Sequence, residues 1–122
     1  VRLLTDDPPK FSKKAADFID NNKDDRLIVN DLIVAEVIFV LESFYKVNKE
    51  NIVKNLRRFF TIPQIVVQNE SIIETALDFY LFKNIDYAEA YLAAYALKHR
   101  SSEIVSFDKH LDKLEQIKRI EP

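Results

Sequence analysis

Three short apolar runs punctuate this chain, and each is too brief to form a helix: RLIV at 26–29, PQIVVQ at 63–68 and EIVSF at 103–107; IKRIE at 117–121 follows as a last strand. A continuous apolar run of this length is the mark of a strand buried on both faces. Stretches with the helical repeat lie between the runs. Strands separated by helices cannot pair as hairpins; they pair through crossovers, which makes them parallel and places helices over the sheet. The expected fold class is therefore α/β, a three-layer α/β/α arrangement with a mostly parallel central sheet.

The helical stretches have recognisable ends. KFSKKAADFIDNN, entered after Pro8 and Pro9, puts Phe11, Ala15, Phe18 and Ile19 on one face. Asp31 is expected to cap a long helix running to about Val47, and Asn48 to cap the next, through KENIVKNLRRFF. Helices over 70–83 and 87–99 follow, separated by KNID, and a short one over DKHLDKLEQ precedes the last strand. No linker, repeat or low-complexity segment interrupts the alternation, so residues 1–122 are expected to form a single domain.

Composition removes several functions. The chain has no cysteine, which excludes structural disulfides, thiol catalysis and thiolate metal sites. It has no glycine, which excludes the phosphate-binding P-loop and the dinucleotide-binding GxGxxG turn. A net charge of -2 is far from the basic character of a non-specific nucleic-acid binder, so any such contact is local or metal-mediated. No signal peptide or apolar stretch of about 18 residues is present, which leaves a cytoplasmic address as the default expectation.

In sheets of this kind, function collects where strands run into the following helices. Three segments there carry acids: NDLIVAE, IDYAEA and SFDKH. Glu36 stands among Leu32, Ile33, Phe39 and Val40 at helical i±3 and i±4 spacings. A carboxylate buried in such surroundings requires a partner or a cation; near a helix N-terminus it is also favoured by the macrodipole. Asp86 and Glu89 have the D-x-x-E spacing of a capping box, and Asp108 is placed to cap the last helix. Each acid has such a local explanation. Carboxylates converging on one sheet edge would instead repel one another unless a hard divalent cation joined them.

The segments NDLIVAEVIFVLESFY, NIDYAEAYLAAYAL and IVSFDKHL, in this order, resemble the three central motifs of the PIN domain, in particular of VapC-type toxins. VRLLTDDPPKFSKKAADFI resembles the segment that follows the first strand of that family, so the resemblance spans essentially the whole chain. It implies a metal-dependent endoribonuclease of a type II toxin–antitoxin pair, using Mg2+ or Mn2+ held by an acidic cluster. By position Glu36 is the second acid, Glu89 the third and Asp108 the fourth. Ser106 stands where the family has threonine and keeps the hydroxyl, and Asp86 is a neighbouring acid able to share the role of Glu89. The resemblance also implies a homodimer and an antitoxin whose basic side chain enters the acid pocket.

Two departures follow. The third acid is ordinarily aspartate, one methylene shorter than Glu89. The first acid lies at the end of a first strand, upstream of VRLL, so the chain is expected to lack that strand and that acid. This motivates an alternative, a catalytically inactive PIN-like module that binds RNA or protein. A receiver-like signalling domain fits less well, because QIVVQNE and IVSFDKH do not carry its aspartate and lysine. His99 and His110, eleven positions apart, do not have zinc-site spacing. Lys54, Arg57 and Arg58, beside Phe59 and Phe60, read either as an RNA-steering group or as a solvated helix face.

Overall fold

The structure, a computed structural model, describes residues 26–122 and the single position Asp17. The helix expected over KFSKKAADFIDNN falls outside these residues except for Asp17, which is helical. In order, the described chain forms β1 (Leu27–Val29), α1 (Asp31–Ser43), α2 (Lys49–Phe60), β2 (Ile65–Val67), α3 (Glu70–Phe82), α4 (Tyr87–Lys98), β3 (Glu103–Val105), a 3-10 turn (Lys109–Lys113) and β4 (Lys118–Ile120). Parallel strands alternate with helices, and the fold is α/β. It divides into two compact units, one ending at Gln68 and the other comprising Asn69–Pro122.

In the first unit β1 and β2 pair in parallel, with Ile28 opposite Val66, and bonds from Leu27 N–H to Gln64 (2.8 Å) and from Gln68 N–H to Val29 (2.9 Å) close the ends. Ile28 is 59% exposed, so β1 is not buried on both faces as its composition suggests. Among the described residues β1 has a partner strand on one side only. Helix α1 starts one residue earlier than expected. Asn30, in an extended conformation, accepts a hydrogen bond from Ile33 N–H at 2.9 Å and is the cap; Asp31 occupies the first turn, where its charge suits the helix dipole.

Helix α1 also ends sooner, at Ser43. Lys46 takes a left-handed conformation (φ 53°) that turns the chain back, and Val47 N–H then bonds the Leu41 carbonyl at 2.9 Å. Asn48 caps α2 as expected, accepting from Asn51 N–H. Val34, Ile38 and Leu41 of α1 and Ile52, Val53 and Leu56 of α2 are the buried stripes of two helices in contact, with the 3-4 spacing of core-facing positions.

The second unit is built on α3 and α4, which pack closely. Ile72, Ile73, Ala76, Leu77 and Tyr80 of α3 and Ala90, Ala93 and Ala94 of α4 are buried, and the small side chains let the backbones approach. Tyr80 meets Tyr87 edge to face, with ring centroids 5.8 Å apart. Asn84, left-handed at φ 51°, makes the turn between the helices, and Ile85 beside it is buried. β3 and β4 pair in parallel with Ile104 opposite Arg119, so the strands form two separate parallel pairs among the described residues. Ile104, Leu111, Leu114 and Ile117 carry the core beneath this pair, and α4 contacts both β3 and the 3-10 turn.

Candidate active site

Ser106 directly follows β3, Glu89 lies in the first turn of α4, and Asp108 is the N-cap of the 3-10 turn. The fold brings these three together. The Ser106 hydroxyl donates to Glu89 Oε2 at 2.9 Å, and Ser106 Oγ in turn accepts from Asp108 N–H at 3.0 Å. All three residues are half-buried. A serine two residues before the aspartate suits this geometry, because its short side chain can accept from the chain as it leaves the strand.

Asp108 has a second set of contacts that spacing arguments aimed at zinc did not anticipate. Its Oδ1 accepts from His110 N–H at 2.9 Å, which is the cap of the 3-10 turn, and lies 2.9 Å from His110 Nδ1. The signal was legible in D-x-H: a residue two beyond an N-cap aspartate can return its ring to the same carboxylate. His110 is therefore a partner of Asp108, with its ring mostly exposed.

The capping box expected from Asp86 and Glu89 does not form. Asp86 is the N-cap of α4 by position, but its side chain makes no capping bond. Glu89 is committed to Ser106, a longer-range contact that a local motif cannot anticipate. Asp86 is exposed.

Glu36 belongs to the first unit, while Glu89, Ser106 and Asp108 belong to the second. It is exposed, on the side of α1 away from Val34, Ile38 and Leu41. Its neighbours Leu32, Ile33 and Phe39 are 75%, 42% and 60% exposed, so they form an apolar surface and not a core. The cost of burying its carboxylate therefore does not arise. Among the described residues, no group of three or more His, Asp or Glu side chains stands together as a metal-holding cluster.

The donor chemistry still fits a hard cation. Glu89 Oε1 and Asp108 Oδ2 make no hydrogen bond to another described residue, and oxygen donors of this type suit Mg2+ or Mn2+, which retain water in the remaining positions. The one side-chain nitrogen donor among these contacts is His110 Nδ1, 2.9 Å from Asp108 Oδ1.

Arg119 of β4 supports the same corner. Its Nε and Nη2 donate to the two oxygens of Asp112, at 3.1 and 3.4 Å, and its Nη1 donates to the Ser106 carbonyl at 3.2 Å and lies 3.5 Å from Glu121. The hydrogen bond to Asp112, with smaller help from Glu121, raises the guanidinium pKa further, against the opposing effect of desolvation. The other candidates are surface features: His99 stacks on Tyr95 with centroids 4.3 Å apart at the end of α4, and Lys54 and Arg58 are exposed on α2. No described helix is long and apolar enough to cross a membrane.

A family model for the PIN domain matches residues 1–117. No curated protein and no solved structure matches the chain. With a match over nearly its whole length, the chain belongs to the PIN-domain family.

Proposed function

We propose that the protein is a metal-dependent endoribonuclease, the toxin of a type II toxin–antitoxin pair, acting in the cytoplasm. PIN domains are in general metal-dependent nucleases that act on RNA or DNA. The observation that carries the reading to particular residues is the Ser106 hydroxyl, which joins Glu89 to the backbone of Asp108.

In this reading Glu36, Glu89 and Asp108 are the catalytic and metal-holding acids, within one PIN domain. Mg2+ or Mn2+ supplies neutralisation of phosphate charge and activation of water when bound. Ser106 holds one Glu89 oxygen and leaves the other for the cation, and Asp86 adds negative charge at the start of α4. Asp108 is fixed by its backbone bond to Ser106 and by the His110 contacts, which constrain Oδ1 and leave Oδ2 accessible. Exposed Leu32, Phe39 and Phe44 support a homodimer or an antitoxin segment as a covering partner.

The alternative, a catalytically inactive module that binds RNA or protein, is favoured by the same Asp108–His110 pairing, which engages one oxygen of the carboxylate without a metal. RNA cleavage by the full natural protein decides between them. It is measured with Mg2+ or Mn2+ and with chelator, beside Asp108→Asn. Cleavage that needs metal and is lost in the variant supports the nuclease. A folded protein that cuts no RNA under either metal overturns it.

A further inference from the structure

We infer that Arg119 is a positioning residue for the acidic site, holding the Ser106–Asp112 loop in the one shape that presents Asp108 beside Glu89. The inference rests on the reading of Glu89 and Asp108 as that site.

The loop leaves β3 at Ser106 and enters the 3-10 turn that contains Asp112. A single guanidinium takes both ends: Nη1 holds the Ser106 carbonyl, and Nε with Nη2 holds the Asp112 carboxylate as a fork. Asp108 lies between these anchors. Inside the loop the contacts are short and sequential, from Asp108 N–H to the Ser106 hydroxyl, from His110 N–H to Asp108 Oδ1 and from Leu111 N–H to the Asp108 carbonyl. Each spans two or three residues and closes a local turn; none connects Ser106 to Asp112. Arg119 makes that connection.

The register of the strands puts Arg119 there. It pairs with Ile104 at the centre of the ladder, and Ser106 N–H donates to the Ile120 carbonyl one residue beyond, so the end of β3 passes beside the arginine's own backbone. The Arg119 side chain is 13% exposed, against 57% for Asp112 and 56% for Glu121. It is enclosed, whereas a cation used to steer RNA belongs in solvent. The planar fork is needed because three donors must point in fixed directions to two separate acceptors, and an ammonium on a flexible stem cannot hold that geometry. Arg119 acts on the chemistry only through the loop and touches neither candidate acid.

The test is Arg119→Lys in the full natural protein, which retains the charge and loses the fork. Asp112→Asn, which removes the charge and one acceptor while leaving Arg119 in place, is the second variant and carries the test if the first does not fold. Two readouts are taken. Amide hydrogen exchange is followed at Asp108 and His110, with Ala94 in the buried part of α4 as the internal reference. RNA cleavage is followed as a function of Mg2+ and of RNA concentration.

Exchange at Asp108 and His110 is expected to accelerate at least fivefold with Ala94 unchanged. The Mg2+ concentration for half-maximal cleavage is expected to rise and kcat to fall, with KM for RNA within twofold of the natural protein. Unchanged exchange at Asp108 and His110 overturns the inference, whatever the cleavage shows. So does a raised KM with an unaltered metal requirement, since that is the behaviour of a substrate contact. If the natural protein cleaves no RNA, the nuclease reading fails by itself, and the exchange measurement still decides whether Arg119 holds the loop.

Discussion

The Ser106 hydroxyl sits between Glu89 Oε2 and the amide of Asp108, 2.9 Å from one and 3.0 Å from the other, and so links a helix start to a strand end seventeen residues away in sequence. A hydroxyl can donate to a carboxylate and accept from an amide at once. Its oxygen therefore ties the Glu89 side chain to the backbone of Asp108.

Ser106→Ala is expected to lower metal-dependent RNA cleavage by about 10- to 100-fold, in the range found when a partner of a metal ligand is removed. Ser106→Thr keeps the hydroxyl and is expected to stay within a few-fold of the natural protein. Initial rates across a Mg2+ titration are the measurement. Equal activity of the alanine variant would assign the Ser106 bond a purely structural role.

Glu36→Gln separates stability from function in the first unit. Glu36 is exposed and makes no hydrogen bond or ion pair with another described residue, so its neutralisation is expected to change unfolding free energy by less than about 0.5 kcal/mol. If it is the second acid, the same variant abolishes cleavage. Urea unfolding and a cleavage assay on one preparation settle both points, and retained cleavage removes Glu36 from the site.

Asn30→Ala should cost about 1 kcal/mol, because the bond to Ile33 N–H is lost and an unsatisfied donor remains at the start of α1. Asp31→Asn removes a first-turn charge and should cost less, roughly 0.3–1 kcal/mol from the helix dipole at low salt and shrinking as salt is added. Denaturant midpoints of the two variants at low and high salt give the comparison. A larger, salt-independent effect at Asp31 would return the cap to that residue.

Lys46→Gly is expected to stabilise the protein, by up to about 1 kcal/mol. Lys46 is left-handed at φ 53°, a conformation that costs a residue with a Cβ roughly 1–2 kcal/mol, and the greater chain entropy of glycine offsets part of that gain. The chain contains no glycine, so Lys46, Asn69, Asn84 and Arg100 all take such turns with side chains attached. A thermal midpoint that does not rise would show that Lys46 makes compensating contacts.

The elements of this fold were legible because they depend on local patterns. Apolar runs of a few β-branched residues mark β1, β2 and β3, and Asn48 announces α2 by the same side-chain-to-backbone geometry it adopts in the structure. Boundaries shifted where chain reversal was decided by backbone conformation. Nothing in FYKVN signals that Lys46 will turn left-handed and end α1 at Ser43, because a glycine normally gives that signal and none is present.

The acids divide along the same line. The amino-acid sequence alone determined that carboxylates and no thiols stand at the helix starts, that the strands are parallel, and that Glu89, Ser106 and Asp108 are the residue types a hard cation accepts. Tertiary structure decided their partners. Glu89 turns from its neighbour Asp86 to Ser106, Asp108 takes His110, and Arg119 reaches back to the loop, while Glu36 emerges on the surface of α1. Helical spacing specifies which residues share a face, but burial depends on what packs against that face, and a hydrogen bond depends on which distant chain arrives within 3 Å.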